Sequence, residues 1–138
     1  MTPDQIALVE ETVATVDLDA LTADFYARAF AMDPELPAMF TSDPARQRAR
    51  FAAELDEIVR SIRSLDSFVA RARQLGARHR GYGVTARHYR LMGNALLAAL
   101  AGASGDDWSD ARAEAWTLAY NLTAETMMLG AMDRAPRG

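Results

Sequence analysis

The feature that most constrains this chain is a helical stripe that ends in a histidine. Phe68, Ala72, Leu75 and His79 fall at i, i+4, i+7 and i+11, a single line along one helix face. Gly81 and Gly83 follow at once, so the helix must stop within about a turn of the imidazole. The imidazole therefore stands where a leucine would normally stand, at a helix end, directed at whatever the stripe covers. Taken alone, that position has a plain reading too. A histidine on an apolar face is more often a core residue satisfied by a backbone carbonyl than a ligand.

The rest of the chain reads as helix throughout. Thr2, Pro3 and Gln5 form a helix start, with Thr2 as N-cap, Pro3 in the first turn and Gln5 completing a capping box. Ile6, Val9, Val13 and Val16 continue as an apolar stripe. Asp17 or Asp19 caps a second helix, whose Leu18, Leu21, Phe25 and Ala29 share one face and Tyr26 and Phe30 the next. Asp33-Pro34 breaks it, a short helix over 34–40 follows, and Thr41-Ser42-Asp43-Pro44 punctuates again. The clearest period is Phe51, Leu55, Ile58, Val59 and Ile62, with the amide of Gln47 one turn earlier on the same stripe. Thr85 caps the next helix, with Tyr89, Met92, Leu96 and Leu100 inward, and a loop is expected over Gly102–Gly105. Ser109 or Asp106 starts a last helix to about Met132, lined on its core side by Trp116, Ala119, Tyr120, Thr123 and Met127. Residues 133–138 read as a frayed end.

No stretch alternates with period two, which excludes strands. Unequal helix lengths and one very short helix argue against a symmetric four-helix bundle. With 138 residues, half of them apolar and a quarter charged, a single domain over 1–138 with one core is expected. The net charge of −4 gives no case for nucleic acid as a partner. The arginines between Arg46 and Arg50 read as a solvated face or as partners for an anionic ligand group. No cysteine is present, so disulfides, thiolate ligands and a CxxCH haem attachment are all excluded. An acidic N-terminus and the lack of any apolar run near about 18 residues argue against a signal peptide or a membrane partner, and the cytoplasm is the expected location.

Two runs carry a resemblance. LGxRHxxYGV…HYxLxGxxLL, from Leu75 to Leu97, and FYxxxFxxxPELxxMF, from Phe25 to Phe40, resemble bacterial single-domain haemoglobins and the globin domain of flavohaemoglobins. The resemblance covers nearly the whole chain and is weakest in the last helix. It implies an all-α globin fold of about six to seven helices around a haem pocket. It implies non-covalent haem b, with His79 as the axial metal ligand and Phe40 packed on the haem face. It sets Tyr26 and Gln47 as distal hydrogen-bond donors, with Phe51 one turn beyond Gln47 and Val84, Tyr89 and Met92 around the cofactor. His88 is separated from His79 by nine residues and a glycine turn, and is expected to be structural or rim-facing.

One departure accompanies the resemblance. The enzymatic branch of the family has a glutamate on the last helix that joins a tyrosine, here Tyr89, in polarising the proximal histidine. Its position in this chain is Ala131, and Glu125, six residues away and about 240° round the helix, cannot replace it. The expected function is reversible binding of oxygen, and of NO, CO or cyanide, for oxygen binding, storage or scavenging. The first alternative is nitric oxide dioxygenation with a separate reductase, since the sequence holds no nucleotide-cradling GxGxxG loop. The second is a haem-free, globin-shaped interaction module. A monomer or a homodimer suits any of these.

Overall fold

Burial follows the stripes of the sequence closely, because each helix presents one apolar line to its neighbours. The structure, a computed structural model, describes residues 1–40, 43–81 and 83–132. Six α-helices run in order: α1 (Pro3–Thr15), α2 (Leu18–Met32), α3 (Pro44–Ser61), α4 (Leu65–Gly81), α5 (Ala86–Ser104) and α6 (Asp110–Met132). Two short 3-10 turns, Leu36–Met39 and Gly105–Asp107, complete the described elements, and no strand occurs among the described residues.

The helix starts have local causes. The Thr2 hydroxyl accepts from the Gln5 N–H while the Gln5 side chain accepts from the Thr2 N–H, a reciprocal capping box. Of the two candidates for the second cap, Asp17 is the one used, its carboxylate accepting from the N–H groups of Asp19 and Ala20. Asp43 caps α3 through the Arg46 N–H, and Ser109 caps α6 through the Arg112 N–H. The short helix expected over 34–40 contracts to the 3-10 turn Leu36–Met39, with Leu36 buried beneath it. The loop expected over Gly102–Gly105 is instead the last turn of α5, which continues to Ser104. Ala99 and Leu100 are fully buried and anchor that turn, and this outweighs the roughly 1 kcal/mol that Gly102 costs a helix. The chain turns only at Gly105, where φ is +55°. Thr41, Ser42, Tyr82 and the tail 133–138, on which some expectations fell, lie outside the described residues.

Two apolar clusters organise the interior. One joins α1, α2, α5 and α6 through Val9, Leu21, Phe25, Leu96, Leu100 and Trp116. The other joins the end of α3 to α4, α5 and α6 through Ile58, Phe68, Leu75, Tyr89 and Met127. Helix α4 packs chiefly on α6 and then on α3, whereas α2 packs on α5 and α3. The α4–α6 contact is unusually close. A Cβ on Gly76 would strike the backbone of Met127, and one on Gly130 would strike the backbone of Arg73. This anchoring on α6 fixes where the C-terminal end of α4, and so His79, stands relative to α2 and α3. No helix among the described residues is long and apolar enough to cross a membrane.

Candidate functional site

Between the two clusters lies a cavity of about 320 Å³, walled by residues from every helix and from the turn at Leu36–Met39. By the scale of core cavities, about 24 cal/mol per Å³, a closed void of that size would forfeit on the order of 8 kcal/mol, comparable to a whole domain's stability. A cavity of that size suits a bound ligand rather than a packing fault. Tyr26, Phe40, Gln47, Phe51, His79, Val84, Tyr89 and Met92, the residues expected at a site, all line it.

His79 stands at the end of α4, half-buried, in the stripe position that the sequence assigned to it. Its Nδ1 lies 2.8 Å from the carbonyl oxygen of Leu75. A carbonyl only accepts, so Nδ1 carries the proton and Nε2 carries the lone pair that a metal requires. The helix itself thus sets both the tautomer and the ring orientation. The reversal beyond α4 is tight: the Val84 N–H donates to the His79 carbonyl, and Gly83 adopts φ +79°, a value glycine reaches without strain.

On the α2 and α3 side, Gln47 Nε2 donates to the phenolic oxygen of Tyr26 at 3.1 Å. The two polar residues expected side by side are therefore connected in series. Because the Tyr26 oxygen accepts from the amide, its own proton is left to donate elsewhere. The ring is held by aromatic neighbours: Phe25 at 5.0 Å, Phe40 at 5.5 Å, and Phe30 and Phe51 each at 5.8 Å between centroids. Phe51 in turn stacks on Phe25. Burial pushes the Tyr26 phenol above its ordinary value, opposed in part by the Gln47 hydrogen bond, so the group is a neutral donor at physiological pH.

On the α5 and α6 side, the Tyr120 hydroxyl donates to the Tyr89 carbonyl, and burial raises the pKa of both phenols. The Tyr89 hydroxyl is buried and has no hydrogen-bond partner among the described residues. The α6 residues lining the cavity are Trp116, Ala119, Tyr120, Thr123, Ala124 and Met127, with no acid among them. Glu125 is exposed, and Ala131 offers no acceptor. His88 combines the two expected roles: its Nδ1 accepts from the Thr85 N–H at 3.0 Å, capping α5, while the residue also lines the cavity rim.

Sequence reading missed Glu54. It lies on the stripe Gln47, Phe51, Glu54, Ile58 (i, i+4, i+7, i+11), and that spacing was the available signal. Its carboxylate lines the cavity with Arg50 and Arg78, and Arg78 Nη2 stands 3.9 Å from Glu54 Oε1. Burial raises the Glu54 pKa, opposed by neighbouring cations, the Arg78 and Arg50 guanidiniums among them.

Among the described residues no group of three or more His, Asp or Glu side chains converges to hold a bare ion. One oriented imidazole facing an apolar cavity suits a metal whose remaining ligands arrive with it, in an organic macrocycle.

A family model described as Globin matches residues 23–127. The chain is 29% identical over 133 residues to a flavohemoprotein of Deinococcus radiodurans, covering 93% of this chain and 33% of that one. It thus spans about one third of the length of the curated relatives it matches. An engineered carbene transferase from Rhodothermus marinus, a protein assigned as a nitric oxide dioxygenase, superposes with a TM-score of 0.85 at 26% identity, covering 95% of this chain and 93% of that one. A bacterial globin from Campylobacter jejuni superposes with a TM-score of 0.83 at 24% identity, covering 94% and 96%, a likeness of fold.

Proposed function

This chain belongs to the globin family and has its fold, and from that premise we propose that it is a haem b protein that binds oxygen reversibly, for oxygen binding, storage or scavenging. The observation that carries this reading is His79, an imidazole fixed by the Leu75 carbonyl at the wall of a cavity that the Tyr26–Gln47 pair also lines. His79 would hold the iron, with Phe40, Phe51, Val84, Tyr89 and Met92 lining the cofactor's cavity. When bound, ferrous haem supplies an iron that coordinates a diatomic gas reversibly.

The chain's own residues then decide how long the gas stays. Tyr26 would donate a hydrogen bond to the gas, and Gln47, by donating to the Tyr26 oxygen, leaves the phenolic proton for that bond. Such a bond to a partly charged acceptor in a dry pocket contributes roughly 1.5–3 kcal/mol, about ten- to a hundredfold in residence time. Phe40 and Phe51 exclude water. His79, whose Nδ1 proton goes to a backbone carbonyl, would present Nε2 to the metal. NO, CO and cyanide would bind at the same place.

The test is an absorption spectrum of the purified protein beside His79→Ala and His88→Ala. A Soret band that survives His88→Ala and collapses or shifts in His79→Ala supports the assignment. No Soret band after haem is supplied would refute it and leave a globin-shaped interaction module.

A second reading is nitric oxide dioxygenation, favoured by the likeness to the Rhodothermus marinus protein. Turnover would require electrons from a reductase outside these residues. The cavity's α6 wall carries no acid to polarise His79, which favours gas binding over turnover. Steady-state NO consumption with an external reductase separates the two, because a carrier stops after about one equivalent.

A further inference from the structure

Charged groups line the cavity at one place, the gap between α3 and α4, where Arg50 and Glu54 stand one turn apart on α3 and Arg78 faces them from α4. The side chain of Glu54 is 23% exposed and that of Arg78 60%, so the carboxylate sits inside the mouth and the guanidinium at its edge. Their separation of 3.9 Å is an ion pair without a hydrogen bond. A carboxylate drawn out of water and compensated so loosely is readily displaced by a second carboxylate that reaches the same cations with better geometry.

We propose that Glu54 is a gating carboxylate: it occupies the Arg78 side of the mouth and competes there with the carboxylates of the bound ligand. The proposal rests on the haem reading above, since haem b carries two propionates. Glu54 then sets how firmly a dicarboxylate macrocycle is retained. When a propionate leaves Arg78, the Glu54 carboxylate takes its place and opposes its return. A neutral isostere at position 54 removes the competitor and leaves both cations to the ligand.

The test measures transfer of haem from the loaded protein to excess apomyoglobin, for wild type, Glu54→Gln, Arg78→Gln and the double variant. The same proteins are also loaded with haem dimethyl ester, which has no free carboxylate. Glu54→Gln is expected to release haem about two- to tenfold more slowly, the range for a partly buried pair. Arg78→Gln is expected to release it faster and to abolish the effect of Glu54→Gln, and the ester should leave at one rate from wild type and Glu54→Gln. Release from Glu54→Gln as fast as from wild type, or an equal slowing with the ester, would overturn the gate while leaving haem binding intact. If the wild-type protein takes up no haem at all, the haem reading fails first and the gate with it.

Discussion

The side-chain amide of Gln47 donates to the phenolic oxygen of Tyr26 across 3.1 Å, joining α3 to α2 at the cavity wall. Residues 21 positions apart in the chain thus act as one donor unit. Tyr26 is the member with a proton to give, and Gln47 fixes its direction. Tyr26→Phe should speed oxygen release about ten- to a hundredfold, and Gln47→Leu by a smaller factor. In the Tyr26→Phe background, Gln47→Leu should add almost nothing. Stopped-flow release rates for the four proteins form the double-mutant cycle that checks this. Additive effects would show two independent donors.

Tyr26, Tyr89 and Tyr120 all line the cavity, and burial raises the pKa of each. Their neutral forms are favoured in the folded state, so their contribution is complete below the unfolded value of about 10 and is lost as pH rises beyond it. Each phenol adds a slope of about 1.4 kcal/mol per pH unit between its unfolded and folded values. The melting temperature should therefore fall steeply above about pH 10, with phenolate absorbance rising together with unfolding. Tyr120→Phe should make that fall shallower. Three phenols titrating near 10 in a protein that stays folded would contradict the assignment.

The α4–α6 crossing depends on two missing side chains. Gly76→Ala and Gly130→Ala each drive a Cβ into backbone of the facing helix, and backbone cannot rotate aside. Each should destabilise by about 1–3 kcal/mol or more, roughly 4–10 °C in melting temperature for a domain of this size. Gly81→Ala, at the end of α4 with nothing within 4 Å of an added Cβ, is the control and should be neutral or slightly stabilising.

Arg112 is buried, with one guanidinium nitrogen donating to the Thr12 hydroxyl at 2.7 Å and another 3.0 Å from the Glu11 carboxylate. It ties α6 to α1. Arg112→Ala should lower stability by about 2–4 kcal/mol through lost packing and the unpaired Thr12 contact, measured by denaturant unfolding. Glu11→Gln should lower it by less than about 1 kcal/mol, because the Glu11 side chain is 59% exposed and the pair is screened.

Much of the site was legible before any coordinate. His79 was marked by its stripe and by the glycines after it, Tyr26 and Phe40 by the run Phe25–Phe40 that carries the resemblance, and Gln47 by its place one turn before Phe51 on the α3 stripe. Glu54 was legible in principle, at i+7 from Gln47, but an acid on an apolar stripe reads as a solvated break until a cation is seen near it. Arg78 supplies that cation from another helix. The extension of α5 to Ser104 was hidden because glycine-rich composition signals a turn, and only the packing of Ala99 and Leu100 overrides it.

The sequence by itself determined the helices, their caps and the inward face of each, because apolar period and capping are local and their energies act within a few residues. It also determined that an imidazole would end one of those faces. Only the tertiary structure decided that Gln47 donates to Tyr26 rather than standing beside it, that Glu54 meets Arg78 across the mouth, and that the Tyr89 hydroxyl has no partner among the described residues. Those outcomes depend on where α3 and α4 stand relative to α2 and α6. The closeness of the α4–α6 crossing, permitted by Gly76 and Gly130, sets the position of α4, and the packing of α3 on α2 sets that of α3, over distances no local pattern encodes.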